Sequence, residues 1–339
     1  MKRYGNLYTE ICSIENLRLA HKNARKGKTH YLEVIKIDKD PDKYLLPIQK
    51  KLKEKMYATS EYRIFEIVDR GKRREICDLP YYLDRIVHWA LMQIIEPILM
   101  KHLIETTYAA LPGRGTHKAL RKMRRYMKDV EGTAYCLKID VSKYFPNIDK
   151  EILKKKFRKR IKCDETLWLI DEIIDSFEKG IPIGNYTSQY FGNYYLSDFD
   201  HWIKEEKKIK YYLRYMDDMI FFANTKEELH QLIREIQHYL KEELHLSVKP
   251  NWQVFPTAVR GVDFVGYRTF YSYTLLRKST KKRLKRASRK LMSQKDGKIP
   301  FTASNISTIA SYMGLLKWCN SYRLYLKTLY LLESPCNTE

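Results

Sequence analysis

The chain has 339 residues, 44% of them hydrophobic, enough for one large core or for two or three subdomains. Its 64 Lys and Arg against 41 Asp and Glu leave a formal charge of +23, a self-repulsion that points to a polyanionic partner. Nucleic acid comes first and an acidic membrane surface second, but no run of the chain reaches the roughly 18 apolar residues of a membrane span: Ile86 to Ile104 is interrupted by His88, Gln93 and Glu96.

The opening Met1-Lys2-Arg3-Tyr4 lacks the apolar segment of a secretory signal, and the six cysteines are scattered with no C-x-x-C pair. Both features suit a reduced, cytoplasmic protein rather than a zinc or disulfide scaffold. Residues up to about 30 are polar and basic, with helical spacing at Leu17, Ala20 and Ala24. Residues 60 to 80 alternate as a strand does and turn at Asp69-Arg70-Gly71-Lys72, which predicts a hairpin with Arg74 and Ile76 on its return strand. A long helix is expected from about Tyr82, with Ile86, Ala90, Leu91, Ile94, Ile95 and Ile98 on one face and a kink at Pro97. Ala134 to Ile139 is a short apolar strand ending at Asp140, and Asp149 opens a helix carrying Leu153, Phe157 and Ile161. Tyr211 to Ala223 reads as two buried strands joined by a tight turn around an Asp-Asp pair. Thr225-Lys226-Glu227-Glu228 is a capping box that starts a helix with Leu229, Leu232, Ile233, Ile236 and Leu240 facing the core. Residues 275 to 298 hold eleven Lys and Arg and one acid, marking a separate basic region.

The charge alone also suits a passive nucleic-acid-coating protein, so the decision rests on chemistry. Phosphoryl transfer uses two divalent cations about 4 Å apart, and Mg2+ takes hard oxygen ligands, so such a site gathers carboxylates from different elements. Asp140 ends one predicted strand; Asp217 and Asp218 sit in a predicted hairpin turn between Tyr211-Tyr212-Leu213 and Ile220-Phe221-Phe222. Adjacent aspartates in an apolar hairpin repel one another and add nothing to turn geometry, which Asn-Gly or Asp-Gly would supply.

Tyr215-Met216-Asp217-Asp218 resembles motif C of reverse transcriptases. Leu137-Lys138-Ile139-Asp140-Val141-Ser142-Lys143-Tyr144-Phe145 resembles motif A, Ile183-Gly184-Asn185-Tyr186-Thr187-Ser188-Gln189 motif B, Leu246-Ser247-Val248-Lys249-Pro250 motif D and Phe264-Val265-Gly266-Tyr267 motif E. The motifs occur in family order across about residues 60 to 275. The resemblance implies a right-hand polymerase of α/β (α+β) class: an N-terminal helical extension (1–60), fingers (61–133), a palm of antiparallel sheet and helices (134–274) with an inserted fingers segment near 150–185, and a short basic helical thumb (275–339). It further implies two Mg2+ ions, with Mn2+ able to substitute, held by Asp140 and Asp217 with help from the Val141 carbonyl and support from Asp218. Phe145 falls where the family places the steric gate that selects deoxynucleotides (dNTPs). Lys249 falls at the position of a general acid for the leaving pyrophosphate, with a solvated surface lysine as the alternative. Arg74 is placed to neutralise the incoming triphosphate, and Arg73 competes for that role.

The Ile-Gly-x-x-x-Ser-Gln form at Ile183-Gly184 and Ser188-Gln189, in place of Gln-Gly-x-x-x-Ser-Pro, resembles the reverse transcriptases of diversity-generating retroelements. A Gln beside the nascent pair hydrogen-bonds and holds geometry; Ile183 offers only apolar contact and tolerates mispairs, unless it merely packs the fingers. The resemblance implies an enzyme, bacterial or encoded by a phage or element, that copies a template-repeat RNA into cDNA with errors at template adenines. It also implies a basic, oligomeric accessory variability protein as partner. Retron-like or phage-defence reverse transcriptases are the alternative, as is a non-catalytic nucleic-acid-binding protein with a polymerase fold; the Val-Thr-Gly that retron enzymes usually carry after motif E is not found, and a group II intron enzyme would normally add a maturase region. Three basic stretches are candidates for phosphate contact: 114–128, with seven Lys and Arg and no acid; 150–162, with eight and one; and 277–298, with eleven and one. In the last, Lys281, Lys282, Arg283, Arg286 and Arg289 are expected to grip the template RNA/cDNA duplex. The outer face of 150–162 is left among RNA, the accessory protein and solvent.

Overall fold

The computed structural model describes residues 3–69 and 71–333. The chain divides into two compact units: one of Met1–Leu111, Asp140–Lys208 and Arg234–Pro250, the other of Pro112–Ile139, Ile209–Ile233 and Asn251–Glu339.

The first unit is mainly helical. Ser13 caps helix Ile14–Ala24 by accepting the Asn16 N–H, and the predicted Leu17, Ala20 and Ala24 are its buried stripe. That helix packs on Ile86–Met100, where Asn16 Nδ2 donates to the Ala90 carbonyl at 3.0 Å and Gln93 Nε2 to Asn16 Oδ1 at 2.7 Å. The long helix starts later than its periodicity suggested: Leu83 at φ 77 breaks the backbone, so regular helix begins at Ile86 and runs through Pro97 to Met100. Asp84 beside the break is fully buried and accepts from the Tyr57 hydroxyl at 2.9 Å and the Ser60 N–H at 3.1 Å, which anchors the irregular turn. Strands β1 (Arg63–Asp69) and β2 (Lys72–Asp78) form the expected antiparallel hairpin. Gly71 takes φ 79 in its turn, and Arg70 lies outside the described residues.

The second unit carries the sheets. Strands β3 (Tyr135–Asp140), β4 (Tyr211–Tyr215), β5 (Asp218–Ala223) and β6 (Gln253–Pro256) lie in the order β4-β5-β3-β6, with β4–β5 and β3–β6 antiparallel. Residues 211–214 and 219–222 are buried without alternation, so both faces of this sheet are covered, and Tyr212 stacks on Phe221 at 4.7 Å. Strands β7 (Val262–Phe264), β8 (Tyr267–Thr269) and β9 (Thr274–Leu276) make a second, antiparallel sheet. Its first turn places Val265 at φ 44 and Gly266 at φ 92, the two positive angles of a type I′ hairpin, unusual for a β-branched residue. Helices Thr116–Tyr126, Lys278–Asp296 and Ala303–Leu316 complete the unit, and Arg124 joins the first to the sheet through Thr274 Oγ1 at 3.1 Å. No helix among the described residues is long and apolar enough to cross a membrane.

Asp149 is the N-cap of helix Lys150–Arg160, accepting the Ile152 N–H at 3.0 Å and pairing with His245 at 2.8 Å. Burial raises its carboxyl group, but the cap N–H and His245 outweigh burial and leave it below the usual carboxylate range. A depressed carboxyl stabilises the fold above its unfolded value of about 4 and loses that stabilisation as pH falls through the carboxylate range. Asp149→Ala should therefore cost about 1 kcal/mol near neutral pH, with a smaller difference from wild type in acid. Thermal unfolding from pH 7 to pH 3 reads both effects.

Candidate active site

Within the second unit, the register Tyr215↔Asp218 leaves Met216 and Asp217 as a two-residue loop. Met216 is held at φ 58, a left-handed backbone that costs a residue with a Cβ about 1–2 kcal/mol. Arg214, fully buried in β4, donates from Nη1 to the Met216 carbonyl at 3.1 Å and so braces that turn from beneath. Strand β5 therefore begins at Asp218, and its neighbour β3 ends at Asp140. Lys138, two residues before Asp140 on β3, has its ammonium 3.4 Å from the Asp218 carboxylate.

In the first unit, the segment after β3 is held by the predicted motif D. Val141 bridges Val248 in antiparallel fashion, Ser142 N–H donates to the Ser247 carbonyl at 2.8 Å and Lys249 N–H to the Asp140 carbonyl at 2.8 Å. The Lys249 ammonium closes onto the Asp140 carboxylate, so the lysine addresses this aspartate with both main chain and side chain. Val141 is fully buried.

Motifs A and B meet through backbone. The Phe145 carbonyl accepts the Ile181 N–H at 3.1 Å, and Gly180, at φ 66, lies so close that a Cβ there would stand 2.3 Å from the Phe145 oxygen. Two residues on, the Ile183 carbonyl accepts the Cys77 N–H of β2 at 2.8 Å. Gly184, at φ 139, presses on the same residue: a Cβ would sit 2.1 Å from the Cys77 carbonyl oxygen. Phe145, Ile183 and Gln189 are all partly exposed, Gln189 on helix Tyr186–Tyr195, which Tyr186 fixes by stacking on Trp89 at 4.0 Å. On β2, Arg73 pairs with Glu66 of β1 at 3.4 Å, while Arg74 is exposed on the opposite face of the hairpin.

The basic stretches differ in what surrounds them. On helix Lys150–Arg160, Lys154 pairs with Asp175 at 2.7 Å, Arg158 with Asp171, and the buried Lys156 with Asp198 at 2.7 Å. Burial pulls the Lys156 ammonium down to about 8 against the opposing pull of Asp198. Lys154 and Arg158 thus hold the acidic neighbouring helix Asp164–Asp175, while Lys155 and Lys159 are exposed. On helix Lys278–Asp296 the core face is Thr280, Leu284, Ser288 and Leu291. Lys281, Lys282, Arg283, Arg286 and Arg289 are exposed and, among the described residues, have no carboxylate partner.

No three His, Cys, Asp or Glu side chains are clustered as a metal centre among the described residues. Within its own unit each candidate carboxylate, an oxygen donor of the hard kind that a divalent cation takes, already holds a cation: Asp140 the ammonium of Lys249, and Asp218 that of Lys138. Lys138, Arg214 and the Cys77 contact were not singled out from the sequence. For Lys138 the signal was there, since a residue two positions before Asp140 shares its face of the strand; the partners of the other two are set by the fold.

A family model described as reverse transcriptase (RNA-dependent DNA polymerase) matches residues 54–269. Among curated proteins, Protein YkfC of Escherichia coli (strain K12) is 23% identical over 250 residues, covering 61% of this chain and 65% of that protein. Nuclear intron maturase 1 of Arabidopsis thaliana mitochondria is 27% identical over 118 residues, 34% of this chain and 16% of that protein. A telomerase structure from Candida albicans, solved with the TWJ fragment of telomeric RNA, aligns with a TM-score of 0.50 at 13% identity, over 66% of this chain and 47% of that one. The chain thus spans less than two thirds of each of these proteins, and the fold is that of a right-hand polymerase.

Gly184 lies inside the matched region, and its backbone angle and the Cys77 carbonyl both reject a side chain. Gly184→Ala should cost about 1–3 kcal/mol in denaturant unfolding and loosen the loop from β2. Faster amide hydrogen exchange at Cys77 than in the wild type is the local reading of the same loss.

Proposed function

The chain belongs to the reverse transcriptase family, and we propose that it is an RNA-directed DNA polymerase that copies a template-repeat RNA into cDNA with low fidelity at template adenines, for mutagenic diversification of a target gene. The observation that carries this reading is the pair of main-chain bonds that joins Phe145 to Ile181 and Ile183 to Cys77. They join the motif A segment, the motif B loop and the predicted fingers hairpin through main chain, and in this reading Ile183 stands where a Gln would offer an amide.

In this reading the palm carries Asp140 and Asp217 as metal ligands, with the Val141 carbonyl assisting and Asp218 in support. When bound, two Mg2+ ions supply activation of the primer 3′-hydroxyl and neutralise charge on the triphosphate. The rest falls to the chain's own groups. Phe145 packs against the sugar and excludes a ribose 2′-hydroxyl. Arg74, or Arg73 in its stead, neutralises the incoming triphosphate. Lys249, held against Asp140, carries the proton for pyrophosphate release. The exposed cations Lys281, Lys282, Arg283, Arg286 and Arg289 of helix Lys278–Asp296 grip the duplex backbone. RNA as template accords with the description of the matched family as RNA-dependent DNA polymerase. The lineage reading rests on Ile183-Gly184 and Ser188-Gln189. It brings with it the basic accessory variability protein as partner and a bacterial cytoplasm as the setting.

On poly(rA)/oligo(dT) with Mg2+ the wild-type chain should incorporate dTMP, and Asp217→Asn should lower the rate by about three orders of magnitude or more while RNA affinity is kept. A wild-type chain that binds RNA but incorporates nothing, with or without partner protein, would be a nucleic-acid-binding protein on a polymerase fold.

Ile183→Gln should lower misincorporation opposite template adenine, as read by sequencing the cDNA; an unchanged error spectrum removes Ile183 from the fidelity argument.

A further inference from the structure

Lys138 is used by none of the steps above, yet its ammonium is tied to three parts of the second unit. Nζ donates to the Asp263 carbonyl of β7 at 2.6 Å and stands 3.4 Å from the Asp218 carboxylate at the head of β5, while the residue itself belongs to β3. An ammonium has three donors and no acceptor, so a carbonyl and a carboxylate suit it, and a half-buried site strengthens both contacts. The contacts continue beyond Asp263. Its carboxylate accepts from Arg277 Nε at 2.5 Å, with Arg268 at 3.9 Å. Arg277 is the N-cap residue of the basic helix Lys278–Asp296, and its own N–H donates to the Gly266 carbonyl at 3.0 Å. A chain of polar contacts therefore runs from the first turn of the basic helix, through Arg277, Asp263 and Lys138, to Asp218.

We propose that Lys138 is a positioning residue of the polymerase site, which holds Asp218 in place and transmits to it the docking of the basic helix through Asp263 and Arg277. The proposal rests on the polymerase reading given above. Lys138 lowers the repulsion between the adjacent Asp217 and Asp218 side chains and fixes Asp218 to the strand that ends in Asp140. Arg277 lies at the other end of the relay, so a duplex seated on the basic helix acts on the palm carboxylates through it. Neither residue touches substrate in this scheme; both act through the groups they hold.

Steady-state kinetics on poly(rA)/oligo(dT) test it with four variants, all monitored for thermal unfolding. Lys138→Met should lower kcat about tenfold, the loss of one charge-assisted hydrogen bond, with KM for dTTP and Kd for the primer-template unchanged. Lys138→Arg should recover most of kcat. Arg277→Met should weaken primer-template binding and lower kcat less than Lys138→Met does. The double variant Lys138→Met/Arg277→Met should lose no more kcat than Lys138→Met alone, because the effect of Arg277 on turnover passes through Lys138. Wild-type turnover in Lys138→Met overturns the proposal and leaves the polymerase reading standing. So does a parallel fall in kcat, binding and melting temperature that Lys138→Arg fails to rescue. Multiplicative losses of kcat in the double variant overturn the relay, and absence of incorporation by the wild-type chain overturns both readings.

Discussion

Adjacent carboxylates repel one another, and a sequence that puts Asp217 in a two-residue hairpin loop and Asp218 at the head of the next strand, and ends another strand in Asp140, has to supply opposing charge from the fold. It does so with two lysines. Lys249 closes on Asp140 within one unit and Lys138 stands by Asp218 within the other. Both ammonium groups are about a third exposed or less, with side-chain exposures of 33% and 27%, so the attraction is stronger than at an open surface. Each lysine is also bonded to main chain at its own station: Lys249 donates its N–H to the Asp140 carbonyl and Lys138 its Nζ to that of Asp263. The local backbone is shaped to the same end. Met216 accepts a left-handed conformation that isolates Asp217 at the tip of the hairpin, and the buried Arg214 satisfies the carbonyl which that conformation exposes.

Much of this was legible in the sequence, because strand alternation, helical spacing and capping residues report a segment's own burial. Leu153, Phe157 and Ile161 are buried as their spacing required, Asp149 caps their helix, and the apolar run around Asp217-Asp218 is a doubly covered hairpin. The helix beginning was misjudged near Tyr82 because the break at Leu83 is a matter of backbone angle, held by the buried Asp84 and Tyr57, and leaves the hydrophobic period intact. Strand alternation puts Lys138 on the face of Asp140, but the long-range polar partners were not legible. Lys138 with Asp263, Arg124 with Thr274 and Lys156 with Asp198 join residues 42 to 150 positions apart, and composition says only that cations exceed anions.

The loop between Gly180 and Gly184 shows how a motif is enforced by sterics rather than by side-chain chemistry. Both glycines press on backbone carbonyls, of Phe145 and of Cys77, at distances no Cβ tolerates. Between them, Ile181 and Ile183 make the main-chain bonds that register the loop against its neighbours. Because the backbone alone fixes the loop, the side chain at 183 is free to vary without disturbing it.

The ion pairs of helix Lys150–Arg160 bear on how the net charge of +23 reaches solution. Lys154, Lys156 and Arg158 are neutralised by Asp175, Asp198 and Asp171 of the same chain, so these carboxylates already stand where mobile counterions would otherwise gather. On helix Lys278–Asp296, Lys281, Lys282, Arg283, Arg286 and Arg289 have no carboxylate partner among the described residues and hold their counterions loosely. Ions set free when a phosphate backbone arrives come from that helix far more than from the first. The charge free to exchange counterions is thus smaller than +23 suggests.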